Sequence, residues 1–375
     1  MRVYFGAYWF LPASVGLING LAKHHSLFVV TTIGAVRDVG NRWREVIASS
    51  VPVRVETRIK LKNPVYWWHR AVGVWQAVRR FGCDLIHLQE THDPFLIWLL
   101  LRQRRYPLVL TVHDPVPHLG EEGTMKYYAS RRPLIEVLRR RATWIITPGQ
   151  ETRRQLLEVY PDLCAERVTA IAHGPRDFYL RWQEPEWHEE PGTVLFFGRI
   201  NAYKGLGVLL EAWQRVTAQC PGAKLVIAGR GYDLPKYRER IMNDPQCELI
   251  DRFIPSEEVA RLFTRCSVVV LPYVEATQSG VLATAIAFGK PAVVTRTGSL
   301  PEMVEDGQTG FVVEPNNAQA LAHALIRLLQ DGNLRQSMSQ NVRQLAKRSL
   351  SWESRAAQTY KVYQQAQEYH KIARA

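Results

Sequence analysis

Cysteine is scarce and unpatterned in this chain: Cys83, Cys164, Cys220, Cys247 and Cys266 are the five cysteines among 375 residues, and no two form a Cys-x-x-Cys pair. An odd number without disulfide or zinc spacing argues for a reducing compartment and against zinc. Also missing is any apolar run near the ~18 residues that a membrane-spanning helix needs. No low-complexity tract and no short-period repeat occurs. The opening MRVYFGAYWFLPASVGL has one early Arg and then apolar residues, like a secretory leader, but no clean small-x-small cleavage site follows. Val3–Ala7 reads better as a first β-strand leading into a loop, so a cytoplasmic protein is expected.

What is present is globular: 46% hydrophobic and 22% charged residues. A chain of 375 residues exceeds one ordinary core and predicts two domains. The net charge of +13 is uneven. Residues 1–180 carry 25 Lys+Arg against 15 Asp+Glu, a net of +10, and the remainder carries 23 against 20, a net of +3. The first half is thus suited to an anionic partner, or is one part of a generally basic protein.

Short Val/Ile/Leu-rich runs alternate with helical patterns throughout. Strands are expected at Val3–Ala7, Ser26–Thr31, Leu85–Leu88, Leu108–Val112, Trp144–Thr147 and Val168–Ile171 in the first half. In the second they are expected at Thr193–Phe197, Lys224–Ala228, Glu248–Asp251, Val268–Leu271 and Ala292–Thr295. Continuous apolar strands linked by helices indicate parallel α/β sheets, so both halves read as Rossmann-like, doubly wound domains. The boundary falls in Asp177–Gly192, which is acidic, Pro-containing and aperiodic. Residues 1–180 and 190–350 then form the two domains, and residues 351–375 a closing helix for which Ser349 or Ser351 is the N-cap. Two such domains facing one another enclose a cleft between the carboxyl edges of their sheets.

Leu271–Asn316 is the most informative stretch. A buried strand runs into the polar loop around Ala276–Gly280, an apolar helix ends at Gly289, and a strand from Pro291 follows. This βαβ unit delivers backbone N–H groups and a positive helix end to the sheet's carboxyl edge, where an anion such as a phosphate binds.

Three second-half segments recur in a particular order: Phe197-Gly198-Arg199-Ile200 with Lys204-Gly205, then Val226 to Gly231, then the βαβ unit closing at Gly298-Ser299-Leu300-Pro301-Glu302. Together they resemble the retaining nucleotide-sugar glycosyltransferases of family 4, and the resemblance covers nearly the whole chain. It implies the GT-B fold, with a first domain for the acceptor, a second for the donor and a C-terminal helix crossing back to the first. It further implies transfer of a hexose from a nucleoside diphosphate sugar, with no cofactor beyond that substrate.

The resemblance carries roles to particular residues. Arg199 and Lys204 match the pair that binds the donor diphosphate, and two cations there would stabilise the departing nucleotide. Ser279 and Gly280 would meet the phosphate through hydroxyl and backbone. Gly229 allows close approach of a ligand or is a plain turn, and the backbone at Phe253 and Ile254 matches the nucleoside-base position. Family members usually have two carboxylates eight positions apart in the βαβ loop, and Ala276 and Thr284 stand there instead. Glu275, one residue earlier, is the candidate replacement. Thr284 either bonds a ribose hydroxyl or packs against the sheet.

In the first half, His113 ends a strand at the carboxyl edge, where similar enzymes place a His beside the donor sugar. His113 and Glu275 are the expected catalytic residues. Asp114, His118, Glu90 and His92 are nearby polar candidates. The family's early Gly-Gly pair aligns with Pro12-Ala13, leaving Ser14 and Gly16, with His118, as acceptor-side candidates. No Asp-x-Asp occurs, so the cations rather than a bridging metal are expected to hold the diphosphate.

Arg58–Arg80 combines Lys and Arg with Trp67, Trp68 and Trp75, and Trp68, Val72 and Trp75 share a helical face. With Arg70, Arg79 and Arg80 this suits contact with an anionic membrane, peripheral on the inner face of the cell membrane. It suits equally a sheet-packing helix with a solvated basic face. The run Arg139-Arg140-Arg141 adds to that field or ends a helix.

The expected function is therefore transfer of a hexose to a lipid-linked or polysaccharide-precursor glycan. The alternatives are an epimerase or phosphorylase of the same architecture and, with no groove-entering helix or stacking platform in view, a nucleic-acid-binding protein.

Overall fold

A computed structural model describes residues 1–56, 64–91, 93–116 and 122–374. The chain divides into two compact units, one built from Met1–Pro117, Gly123–His173 and Trp352–Ala375, the other chiefly from Gly174–Ser351.

The first unit holds a parallel sheet of β1 (Arg2–Ala7), β2 (Ser26–Thr32), β3 (Val53–Glu56), β4 (Leu85–Gln89), β5 (Leu108–Thr111), β6 (Trp144–Thr147) and β7 (Val168–Ala170). Their order across the sheet is β3-β2-β1-β4-β5-β6-β7. β4 and β5 are buried along their whole length, as covering by helices on both faces requires. The strand β3 was not among the expected ones. It sits at the sheet edge and reads Val-Arg-Val-Glu, with Arg54 Nε bonded to the Glu56 carboxylate, so its apolar signal is diluted.

The second unit's sheet contains β8 (Thr193–Phe197), β9 (Lys224–Ala228), β10 (Cys247–Ile250), β11 (Val268–Leu271), β12 (Ala292–Thr295) and β13 (Gly310–Val313). Its order is β10-β9-β8-β11-β12-β13, all parallel. The helices Leu206–Gln219 and Ala318–Gln330 pack together around Trp213, which is 1% exposed. The edge strand β13 also escaped the pattern, since it opens on a glycine and only that glycine is fully buried.

In both sheets the strand order reverses next to the first strand of the unit, between β1 and β4 and between β8 and β11. Ligands of open α/β sheets bind outside the carboxyl ends at such a switch point. That rule singles out the loops after β1, β4, β8 and β11.

The expected linker Asp177–Gly192 opens with regular structure. Asp177–Trp182 forms a 3-10 turn that buries Phe178, Tyr179 and Trp182 against the helices Ser256–Arg265 and Gly280–Ala287. Its aromatic residues, not its acidic ones, decide its structure. The C-terminal helix Trp352–Ile372 belongs to the first unit and packs on the helix Leu11–Ala22.

Candidate functional site

The second unit's edge is organised around Lys204. After β8 the chain makes a short 3-10 turn, Ala202–Lys204, and Gly205 follows at φ +69°. A Cβ on Gly205 would stand 1.8 Å from the Pro272 carbonyl oxygen, so only glycine lets this turn press on the loop after β11. The contact brings Lys204 Nζ to 2.6 Å from the Tyr273 hydroxyl and 3.8 Å from the centroid of its ring. Lysine only donates, so the phenol oxygen accepts and its own proton is available to Ser279 Oγ, 3.2 Å away. Ser279 in turn accepts from the Leu282 N–H and caps the helix Gly280–Ala287. Burial raises the Tyr273 phenol above its ordinary range, so it stays protonated. A buried ammonium, a phenol, a serine and a helix N-terminus thus converge at the switch-point edge.

Other expected donor-side residues lie around this cluster. Arg199 is exposed in the loop after β8. Gly229 has φ +142°, and a Cβ there would stand 1.9 Å from the Gly198 carbonyl oxygen. Its glycine serves contact between the loops after β8 and β9. Phe253 is 54% exposed, whereas Ile254 is buried. Glu275 is half-buried, beside the buried Ala276. Thr284 is buried and donates its hydroxyl proton to the Gly280 carbonyl oxygen at 2.8 Å.

The first unit's edge carries a chain of buried polar groups. His113 is fully buried and its Nε2 lies 2.7 Å from Gln89 Oε1, which places the ring proton on Nε2. Its ring stacks on Phe10 at 3.9 Å and lies 5.3 Å from the ring of His173. The Gln89 amide reaches Thr111 Oγ1, which also meets His87 Nε2 at 2.8 Å. His87 Nδ1 lies 2.6 Å from the Tyr363 hydroxyl of the C-terminal helix. Burial pushes His87 down to about 3, so this histidine is neutral at any working pH.

Arg139, one of three consecutive arginines, is fully buried rather than part of a surface field. Its guanidinium donates to Glu90 Oε1, to the carbonyl oxygens of Asp114 and Pro115, and to the Tyr160 hydroxyl. It therefore ties the loop after β4 to the backbone following His113.

The acceptor-side candidates sit against other parts of the first unit. A Cβ on Gly16 would stand 2.0 Å from the Trp352 indole, so this glycine makes room for the C-terminal helix. Ser14, 1% exposed, donates to the Phe10 carbonyl oxygen within its own helix. Trp75 packs its ring edge-on to Tyr106 beside the core and does not share an exposed face with Trp68. The reason is the stripe Ala71, Val74 and Val78 on the helix Pro64–Phe81, which Trp75 flanks. Trp68 is exposed and pairs with Trp98 at 5.7 Å, and Arg79 and Arg80 are exposed in the last turn. His92, His118 and the side chains of Trp67 and Arg70 lie outside the described residues.

Among the described residues no cluster of three His, Cys, Asp or Glu side chains suits a metal ion. No described helix is long and apolar enough to cross a membrane.

Two units with parallel sheets, each reversing its strand order beside its first strand, define a GT-B architecture, and sequence comparison agrees. Residues 15–175 match the model for "Glycosyltransferase Family 4" and residues 191–331 that for "Glycosyl transferases group 1". The chain belongs to these glycosyltransferases and is a GT-B glycosyltransferase. An uncharacterized glycosyltransferase of Methanocaldococcus jannaschii is 25% identical over 76% of this chain and 76% of its own length. A D-inositol 3-phosphate glycosyltransferase of Nocardioides is 30% identical over 80% of this chain and 66% of its own. The Anabaena protein HepE, solved with UDP, shares 19% identity and superposes with a TM-score of 0.72 over 97% of this chain and 100% of that one. Sucrose-phosphate synthase of Thermosynechococcus elongatus gives 0.71 at 19% identity, covering 97% and 98% of the two chains.

Proposed function

We propose that this enzyme transfers a hexose from a nucleoside diphosphate sugar to a lipid-linked or polysaccharide-precursor glycan, with retention of anomeric configuration. The observation that carries the reading is the buried ammonium of Lys204, bonded to Tyr273, whose hydroxyl reaches Ser279 at the N-terminus of the helix Gly280–Ala287. A buried cation beside a positive helix end suits a diphosphate. Similarity to HepE, which was solved with UDP-glucose, supports a sugar nucleotide as the donor.

In this reading residues 190–350 bind the donor and residues 1–180 the acceptor, with residues 351–375 as the closing helix. Lys204 and Arg199 hold the diphosphate, and Ser279 and Gly280 offer it a hydroxyl and a backbone N–H. Backbone at Gly229, Phe253 and Ile254 surrounds the nucleoside, with Thr284 near its ribose. His113 and Glu275 orient the sugar. As the sugar–phosphate bond breaks, the leaving phosphate takes the proton of the acceptor hydroxyl on the same face of the ring. Negative charge grows on the diphosphate during this step, so cations placed there lower the barrier. No protein base is then needed.

The acceptor-side reading joins a peripheral membrane location on the inner face of the cell membrane. The exposed Trp68 and Trp98, with Arg102 4.8 Å over the Trp98 ring, support it. Thermal-shift screening of UDP-, GDP- and ADP-sugars tests the donor class. Stabilisation of the wild type by one of them, lost in Lys204→Ala and Arg199→Ala, is expected. Equal stabilisation of all three proteins would sink the assignment of these cations.

A further inference from the structure

We propose that Arg176 is a third cation of the donor-diphosphate site, placed over the N-terminus of the helix Gly280–Ala287. The inference rests on the donor reading above and adds to it a residue that no sequence pattern marks.

Arg176 follows β7 and precedes the turn Asp177–Trp182. Its backbone N–H donates to the Ala283 carbonyl oxygen at 3.0 Å, which fastens it to the helix whose first residue is Gly280. The side chain covers that first residue. A Cβ built on Gly280 would stand 2.2 Å from both Cζ and Nη2 of Arg176 and 2.6 Å from Nη1. Gly280 is thus glycine because a guanidinium occupies the space a side chain would take.

Like charges gather at this helix end. A helix N-terminus carries partial positive charge, so an arginine there is repelled. The buried Lys204 ammonium is linked to the same terminus through Tyr273 and Ser279. The charge of Arg176 is also felt at the Tyr273 phenol, where it opposes part of the effect of burial. Yet among the described residues the Arg176 guanidinium makes no hydrogen bond and no ion pair. Its five donors point to an acceptor from outside the chain. Two residues before Gly280, Gln278 Oε1 is buried without a hydrogen-bond partner among the described residues, an acceptor suited to a ligand hydroxyl. A nucleoside diphosphate satisfies both demands: its phosphate oxygens take the guanidinium and ammonium donors, and its sugar hydroxyls supply the missing donor. Arginine can grip one phosphate through two parallel bonds while Lys204 contributes a point charge.

The test is calorimetric binding of UDP, GDP and ADP, of the matching nucleosides, and of inorganic pyrophosphate. Arg176→Gln is expected to weaken the bound nucleoside diphosphate and pyrophosphate about 10- to 100-fold. It should leave affinity for the nucleoside unchanged, and Arg176→Lys should recover part of the loss. Gly280→Ala should mimic Arg176→Gln by displacing the guanidinium. The double variant should then bind no more weakly than Gly280→Ala alone. Should Arg176→Gln fail to fold, Arg176→Lys and Gly280→Ala carry the same comparison. Unchanged diphosphate affinity in Arg176→Gln, with affinity lost in Lys204→Ala, would overturn the proposal and leave the donor reading intact. Equal loss of nucleoside and diphosphate would also overturn it. Wild-type protein that binds none of the three diphosphates would overturn the donor reading itself.

Discussion

Arg139 and Glu90 meet inside the first unit, with Nε 2.8 Å from Oε1, the arginine fully buried and the glutamate 5% exposed. Arg139 also donates to the carbonyl oxygens of Asp114 and Pro115, so this pair fixes the loop after β4 against the loop that follows His113. Removing one partner strands the other charge in a dry environment. Arg139→Met should therefore cost about 3–5 kcal/mol in urea unfolding. The double variant Arg139→Met/Glu90→Leu should cost less than the sum of the single changes, because no charge is left alone. Additive losses would show that the two residues do not act as a pair.

Lys204 and Tyr273 make the corresponding contact in the second unit. Lys204→Ala should lower kcat by about 100- to 1000-fold, as loss of one preorganised transition-state donor does elsewhere. Tyr273→Phe removes the hydroxyl that positions the ammonium but keeps the ring beneath it, so its loss should be smaller, about tenfold. Steady-state kinetics on both variants decides the order, and a greater loss in Tyr273→Phe would contradict the assigned roles.

Gly16 and Trp352 touch across two helices of the first unit. Gly16→Ala should destabilise by about 1–3 kcal/mol through overpacking, since the new methyl would stand 2.0 Å from the indole. Trp352→Ala should cancel most of that added cost, measured as coupling in denaturant unfolding. A Gly16→Ala variant as stable as the wild type would show that the C-terminal helix does not rest on this glycine.

Glu248 gives a pH signature. Arg265 binds both its oxygens, at 3.1 and 2.8 Å, and Lys224 lies 2.9 Å away. These partners, Arg265 foremost, hold its carboxyl at about 2 in the folded protein, against about 4.3 when unfolded. A depressed carboxylate stabilises fully above the unfolded value, and the gain fades as pH falls through the folded one. With 32% of the side chain exposed, solvent screening holds the gain to about 1 kcal/mol. Glu248→Gln should therefore be less stable than the wild type at pH 6, with the gap closing toward pH 2. A gap independent of pH would contradict this origin.

The buried strands were legible because parallel sheets demand uninterrupted apolar runs, and β1, β5 and β11 supply them. The edge strands β3 and β13 were not, since one face of an edge can be charged or glycine-rich. At the site, Lys204 and Ser279 stood in an ordered motif that a sequence displays directly. Arg139 did not: its partner Glu90 lies 49 positions away, and three arginines in a row look like surface. The packing of Gly16 was hidden for the same reason, since what fills the space beside it is Trp352. Tyr273 and Arg176 belong to the same class, residues whose role depends on which loop folds beside them.

The most direct measurement follows the donor through one reaction by proton NMR, with the nucleoside diphosphate sugar that stabilises the protein and a lipid-linked glycan acceptor. The account predicts release of nucleoside diphosphate together with a new glycosidic bond whose anomeric configuration matches that of the donor. A product of inverted configuration would contradict the retaining mechanism. An isomerised or phosphorolysed donor, with no new glycosidic bond, would contradict the proposed transfer.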